Sequence, residues 1–247
     1  MKLPLPRWFA HRGGGSLAPE NTLAGIRLAA RLGFKAVEFD VMLSADGAPL
    51  LIHDETLERT TNGTGRVCET SAAELFLLDA GNGERIPRLA DAAALCREYG
   101  LLANVEIKPA TGFERQTAEA VAGLAATLWQ GAAVQPLLSS FSLEALEIAR
   151  DLAPNIPRGL LFEQVPADWL DTARRLRAVS LHCAARHLSD AVLAEAQANG
   201  IPVLCYTVNT KQAAKSIFER GVSAVFTDHL ELFAAETSAY KGLHLGG

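Results

Sequence analysis

Eight short apolar runs, each followed by a helix-length amphipathic segment, predict an α/β chain folded as a TIM (β/α)8 barrel. Three observations carry the prediction. The runs start near residues 8, 36, 102, 136, 158, 179, 202 and 224, and 247 residues is an ordinary length for that count. No G-x-G-x-x-G follows the first run, which ranks an open doubly wound sheet below the barrel. The unusual polar residues cluster at the downstream ends of the runs, where such barrels carry their sites.

Arg7 to Ala10 makes the first strand and runs into His11-Arg12-Gly13-Gly14-Gly15, where glycine permits close backbone approach. Pro19-Glu20-Asn21-Thr22 opens a helix with Leu23, Ile26, Ala29, Ala30 and Leu32 on its apolar face, and Gly33 ends it. Val37 to Val41 is the second strand. Asp46-Gly47 signals a tight turn, and the link from Leu43 to Pro49 is too short for a parallel crossover. Pro49 to Ile52 therefore returns as an antiparallel arm that ends at His53. Residues 44–86 are expected to be a small insertion after strand two, turn-rich from Glu58 to Gly65, with one short helix over Ser71 to Asp79.

Pro87 leads into a helix through Tyr99. The alternation then becomes regular, with strands at Leu102–Ile107, Pro136–Ser140, Arg158–Phe162, Val179–His182, Pro202–Val208 and Ala224–Thr227. The helices between them span Phe113–Trp129, Leu143–Leu152, Asp168–Arg177, Ser189–Asn199 and Lys211–Arg220, and a last one starts near Asp228. One domain over residues 1–247 is expected, with 241–247 as a disordered tail.

A hydrophobic content of 49% supports a sizeable core. The net charge of -5, with no Lys/Arg-rich run, argues against a nucleic-acid partner. Cys68, Cys96, Cys183 and Cys205 show no C-x-x-C pairing and read as reduced thiols. No uninterrupted apolar segment has membrane-spanning length, so the expectation is a cytoplasmic protein without membrane insertion.

Glu38 and Asp40 sit two apart in a strand and share one face; so do Glu106 and Lys108. Acids inside a strand are costly without compensation. Glu38, Asp40 and Glu106 outnumber the basic Arg12 and Lys108 by one, and a divalent cation corrects the balance. With oxygen ligands only, that ion is hard, Mg²⁺ or Ca²⁺. A phosphodiester adds one negative charge, and the divalent ion with Arg12 and Lys108 then balances it against the three acids. His11 and His53, reached from different strands, suit an acid–base pair across a phosphorus. Asp228 reads as a helix cap, Trp129 as core, and His187, His229 and His244 as surface groups. His182 is divided between pocket and packing. Glu20 and Asn21 either orient the His11 loop or start a helix, and the Arg59–Gly65 loop either closes over the mouth or is a polar turn.

These residues resemble a known family. His11-Arg12-Gly13, Pro19-Glu20-Asn21-Thr22, Glu38-Phe39-Asp40-Val41, Asp46-Gly47, His53-Asp54, Leu57 with Arg59-Thr60-Thr61-Asn62-Gly63, Pro87 with Leu89, Glu106-Ile107-Lys108 and Tyr206-Thr207-Val208-Asn209 resemble the glycerophosphodiester phosphodiesterases in order and spacing. The resemblance runs from about residue 7 to residue 230 and is greatest to the short cytosolic bacterial form linked to glycerol-3-phosphate uptake. It implies a TIM barrel that hydrolyses small glycerophosphodiesters, such as glycerophosphocholine or glycerophosphoethanolamine, to sn-glycerol 3-phosphate and an alcohol. It also implies metal ligands at Glu38, Asp40 and Glu106, acid–base catalysis by His11 and His53, and phosphoryl binding by Arg12 and Lys108. Phe141, His182 and Tyr206 are candidate pocket residues. Tyr206 replaces a frequent Trp and brings a phenol that can hydrogen-bond. A phospholipase acting on lipid head groups, or a non-catalytic barrel that only binds, are the alternatives.

Overall fold

The computed structural model describes residues 5–238. Its strands are β1 (Trp8–Ala10), β2 (Ala36–Leu43), β3 (Pro49–Leu51), β4 (Leu102–Ile107), β5 (Leu137–Ser140), β6 (Arg158–Phe162), β7 (Ser180–Ala184), β8 (Val203–Tyr206) and β9 (Ala224–Thr227). Its α-helices are α1 (Leu23–Arg31), α2 (Ala72–Leu75), α3 (Leu89–Tyr99), α4 (Glu114–Leu128), α5 (Leu143–Leu152), α6 (Trp169–Leu176), α7 (Asp190–Ala198), α8 (Lys211–Glu219) and α9 (Leu230–Ser238). Parallel pairing runs β1-β2-β4-β5-β6-β7-β8-β9 and closes back on β1, while β3 hangs antiparallel on β2 outside the ring. This is the predicted closed eight-stranded TIM barrel. The tail expected at 241–247 lies outside the described residues.

Side-chain alternation explains both the core and the site. Trp8, Ala10, Val37, Phe39, Val41, Val105 and Ile107 point outward and pack against the helices in the main core. Phe9, Ala36, Leu102, Leu204, Ala224 and Phe226 fill the lower barrel interior. Because the strand period is two, the inward positions next above Ala36 and Leu102 are Glu38, Asp40, Asn104 and Glu106. The acids thus enter the barrel by the same rule that buries the apolar residues.

The hairpin pairs Val41 with Leu51, Met42 with Leu50 and Leu43 with Pro49, and Gly47 takes φ 79 at its turn. Ile52 N–H then donates to the Asp40 carbonyl at 3.2 Å, which brings His53 back beside the acids. Met42, Leu50, Ile52, Leu57, Val67, Leu75 and Ile86 form a second apolar cluster beneath the segment that follows.

Three elements differ from expectation. The helix foreseen over Ser71 to Asp79 is only the single turn α2, capped by Ser71, after which i→i+3 bonds tighten the chain into turns. β8 ends at Tyr206, short of the expected Val208, so Thr207 and Asn209 lie in the loop beyond it. β7 continues past His182 to Ala184, so His182 lies mid-strand rather than at its end.

Candidate active site

Asp40 on β2 and Glu106 on β4 are register partners, and Glu38 lies two positions back on β2. All three are buried, and each offers a carboxylate oxygen within 4.8 Å of the others'. Lys108 Nζ, just past β4, stands 3.3 Å from Asp40 Oδ1 and 3.5 Å from Glu106 Oε1. Arg12 donates its backbone N–H to Glu38 Oε2 at 2.9 Å. Asn21 clamps Asp40 from both sides, donating Nδ2 to Oδ2 at 2.9 Å and accepting the Asp40 N–H on Oδ1 at 3.0 Å.

Burial would raise the Asp40 pKa, but the charges of Lys108, His53 and Arg12 carry it below the ordinary carboxylate range. Glu38 goes the other way: burial, then the charge of Asp40, pushes it up to about 7. Glu106 is raised by the same two causes in the same order. Lys108 and Arg12 thus favour the ionised form most at Asp40 and leave the three acids one negative charge in excess. An all-oxygen, buried, over-charged set of this kind fits a hard divalent cation, and these three residues can hold one.

His11 follows β1 and His53 follows β3. His11 Nδ1 lies 2.6 Å from Asp228 Oδ1, and His53 Nδ1 lies 2.6 Å from Asp54 Oδ1. A carboxylate at Nδ1 holds the proton there and leaves Nε2 as the working nitrogen. His11 Nε2 is 3.8 Å from Glu38 Oε2. Burial would lower the His11 pKa, but the hydrogen bond with Asp228 and the charge of Glu38 outweigh it and raise the pKa. His53 is lowered, chiefly by burial.

Asp228 was expected to cap the last helix. Its carboxylate instead meets His11 through Oδ1 and accepts from Asn209 Nδ2 on Oδ2 at 2.8 Å, while its own N–H donates to Asn209 Oδ1 at 2.8 Å. Gly15, at φ +55, allows the glycine loop to lie against the same residue, since a Cβ there would run into the Asp228 carbonyl oxygen. The signal in the sequence was an acid directly after a barrel strand; its partner, 217 residues away, was not visible.

The cavity above the acids holds about 300 Å³. His11, Arg12, His53 and Lys108 line one side with the acids; Phe141, Leu161, Tyr206 and Phe226 line the other. Phe141 is 48% exposed and meets Tyr206 edge-on at 6.2 Å between centroids. The Tyr206 phenol donates to the Phe162 carbonyl at 2.9 Å, so its hydrogen bond goes to the barrel backbone. Glu163 and Arg186 pair at the rim, and neither was anticipated.

His182 lies in the floor of this cavity, fully buried, with Nε2 2.9 Å from Ser180 Oγ and Nδ1 unpartnered. Gly159 makes room for the ring, since a Cβ there would come 2.6 Å from Nε2. Burial pushes the His182 pKa down to about 3. The unfolded chain binds a proton below about pH 6.5 and the native ring does not until about 3, so this residue's contribution falls as pH drops through that window. Denaturant melts of wild type and His182→Gln should therefore converge by ~2 kcal/mol between pH 7 and pH 5. A stability gap independent of pH would contradict the buried neutral ring.

His187 and His229 are part-exposed, as expected, while His244 lies outside the described residues. Trp129 is core at 1% exposure, and all four cysteines are free and buried. Among the described residues no helix is long and apolar enough to cross a membrane.

Fold and site together define a TIM barrel that gathers histidines, carboxylates and basic side chains at its strand ends. Residues 11–232 match the glycerophosphoryl diester phosphodiesterase family; the chain belongs to it and is an enzyme of that activity. A glycerophosphodiester phosphodiesterase of Caldanaerobacter subterraneus is 32% identical over 234 residues, covering 90% of this chain and 94% of the relative. A phosphodiesterase of Oleispira antarctica, solved in complex with the product sn-glycerol-3-phosphate, is 36% identical with a TM-score of 0.88, covering 94% of this chain and 97% of that one. A glycerophosphodiester phosphodiesterase from Agrobacterium tumefaciens, 28% identical, covers 94% and 100% of the two chains with a TM-score of 0.78.

Proposed function

We propose that this enzyme hydrolyses small glycerophosphodiesters, glycerophosphocholine and glycerophosphoethanolamine among them, to sn-glycerol 3-phosphate and an alcohol, with one Mg²⁺ or Ca²⁺ held by Glu38, Asp40 and Glu106. The observation that carries the reading is the buried acid triad flanked by two histidines, each with Nδ1 on a carboxylate. When bound, the ion would neutralise a phosphoryl oxygen and acidify a coordinated hydroxyl.

The chain's own groups do the rest. Lys108 and Arg12 bind the remaining phosphoryl oxygens. Arg12 Nε itself faces Asp40 Oδ2 at 3.9 Å. His11 and His53 act as the acid–base pair through their Nε2 atoms, one taking a proton from the attacking hydroxyl and the other giving one to the departing oxygen. Phe141 and Tyr206 supply apolar wall to the substrate cavity, whose floor holds His182. The free, buried cysteines agree with a cytoplasmic setting, where the product would join glycerol-3-phosphate use.

Incubation of the purified protein with each diester and Mg²⁺ or Ca²⁺ should release stoichiometric sn-glycerol 3-phosphate, read by a coupled dehydrogenase assay. Release of no glycerol 3-phosphate from any member of a head-group panel would overturn the substrate assignment.

A further inference from the structure

The loop Leu57–Gly65 is polar, is closed on itself and sits beside the mouth, and the reaction described above gives it no part. Its own residues explain its shape. Leu57 N–H donates to Gly65 O at 3.0 Å, Thr61 Oγ1 to Leu57 O at 2.7 Å, and Asn62 exchanges bonds with Asp79 through its backbone N–H at 3.0 Å and its Oδ1 at 2.8 Å. Leu57 anchors it, buried in the second apolar cluster. The side chain of Arg59 leaves this frame and reaches back over the barrel mouth.

Arg59 grips two carboxylates with one guanidinium. Nε and Nη2 hold the two oxygens of Asp54, Nη2 at 3.0 Å; Nη1 and Nη2 hold the two oxygens of Glu20 at 2.7 and 2.8 Å. Each of those acids touches a residue that lines the cavity. Asp54 Oδ1 is on His53 Nδ1 at 2.6 Å, and Glu20 Oε1 also accepts from Arg12 Nη1 at 2.9 Å. Arg59 itself is absent from the cavity wall.

We propose that Arg59 is a positioning residue that sets the aim of His53 and of Arg12 together, through Asp54 and Glu20. Only a planar fork with several donors can bind both acids at once. Without it, Asp54 is free to rotate toward solvent and stop holding the His53 ring, and Glu20 draws Arg12 away from the phosphoryl site without a counter-charge. The simpler alternative is that these ion pairs merely tie down a loop. Part-exposed pairs contribute little stability, and the apolar cluster already holds the loop, so a large effect on turnover with a small effect on melting separates the two.

The proposal rests on the roles given above to His53 and Arg12. The experiment is steady-state hydrolysis of glycerophosphocholine by wild type, Arg59→Ala, Arg59→Lys, Asp54→Asn, the Arg59→Ala/Asp54→Asn double variant and His53→Ala, with melting temperatures. Arg59→Ala should lose 10- to 100-fold in kcat with only a few-fold rise in KM, and Arg59→Lys should recover little because an ammonium cannot span four oxygens. The double variant should be slower than either single but by less than the product of the two losses, since only the part of the Arg59 effect that runs through His53 is shared with Asp54. Added methylguanidinium at millimolar concentration should raise the Arg59→Ala rate several-fold and leave wild type unchanged. Wild-type kcat in both Arg59 variants, additive losses, or loss of rate only in step with lost folding would overturn the assignment. If His53→Ala is itself fully active, the reading of the reaction fails; if it is inactive while Arg59→Ala is not, only this inference does.

Discussion

Excess EDTA is expected to abolish glycerophosphodiester hydrolysis, and Mg²⁺ or Ca²⁺ to restore it. The reason lies in the charge of the site rather than in its ligand count. Glu38 and Glu106 are raised because burial and Asp40 oppose their ionisation more than the nearby cations favour it, Lys108 being shared between Asp40 and Glu106 and Arg12 between Asp40 and Glu20. The metal-free protein answers by keeping protons on the triad. Ion binding must then displace them, so affinity should rise with pH through about 7, and calorimetry in buffers of different ionisation enthalpy should show proton release. Glu106→Gln removes, without changing shape, a carboxyl that the metal-free fold must hold protonated beside Asp40. It should abolish the metal response, lower turnover by at least ~100-fold, and raise the melting temperature of the metal-free protein, at about 2–4 °C per kcal/mol recovered. A Glu106→Gln variant that is both active and metal-responsive would remove Glu106 from the ion's ligands.

The same frustration explains why so much of the site was legible. Ionisable residues in an otherwise apolar strand stand out, and the strand period puts Glu38 with Asp40 and Glu106 with Lys108 on shared faces, which the barrel then brings to one mouth. The barrel followed because its eight strands are apolar runs on a regular rhythm. What escaped were partners fixed by closure of the ring. Asp228 obeys a local capping rule in the sequence, yet it meets His11 only because β9 returns beside β1. Asn21, divided between the His11 loop and a helix start, serves the first: Thr22 caps α1, while Asn21 donates its N–H to the Arg12 carbonyl and its Nδ2 to Asp40. His182 was taken to end a strand because a polar residue interrupts the apolar run; a neutral imidazole with Ser180 on Nε2 can sit inside the barrel. For Asp228 the local chemistry was read correctly and a contact distant in the chain outweighed it.

His11→Ala and His53→Ala should each lower kcat on glycerophosphocholine by about 10²–10⁴-fold with little change in melting temperature, as expected when a positioned acid or base is lost. Both rings are held alike by a carboxylate on Nδ1, so geometry alone makes them interchangeable. The reaction does not, because only one of them protonates the departing oxygen. Choline is a poor leaving group and needs that proton; p-nitrophenolate leaves without it. On a glycerophospho-p-nitrophenyl ester the variant lacking the acid should therefore recover most of its rate, and the variant lacking the base should not. The two histidines approach the cavity from opposite arms, His11 after β1 and His53 after the hairpin, so the member that responds also tells which side of the phosphorus the alcohol leaves from. Equal recovery in both variants, or in neither, would mean that the pair does not divide the two proton transfers, and the symmetric carboxylate clamps would then serve binding rather than acid–base catalysis.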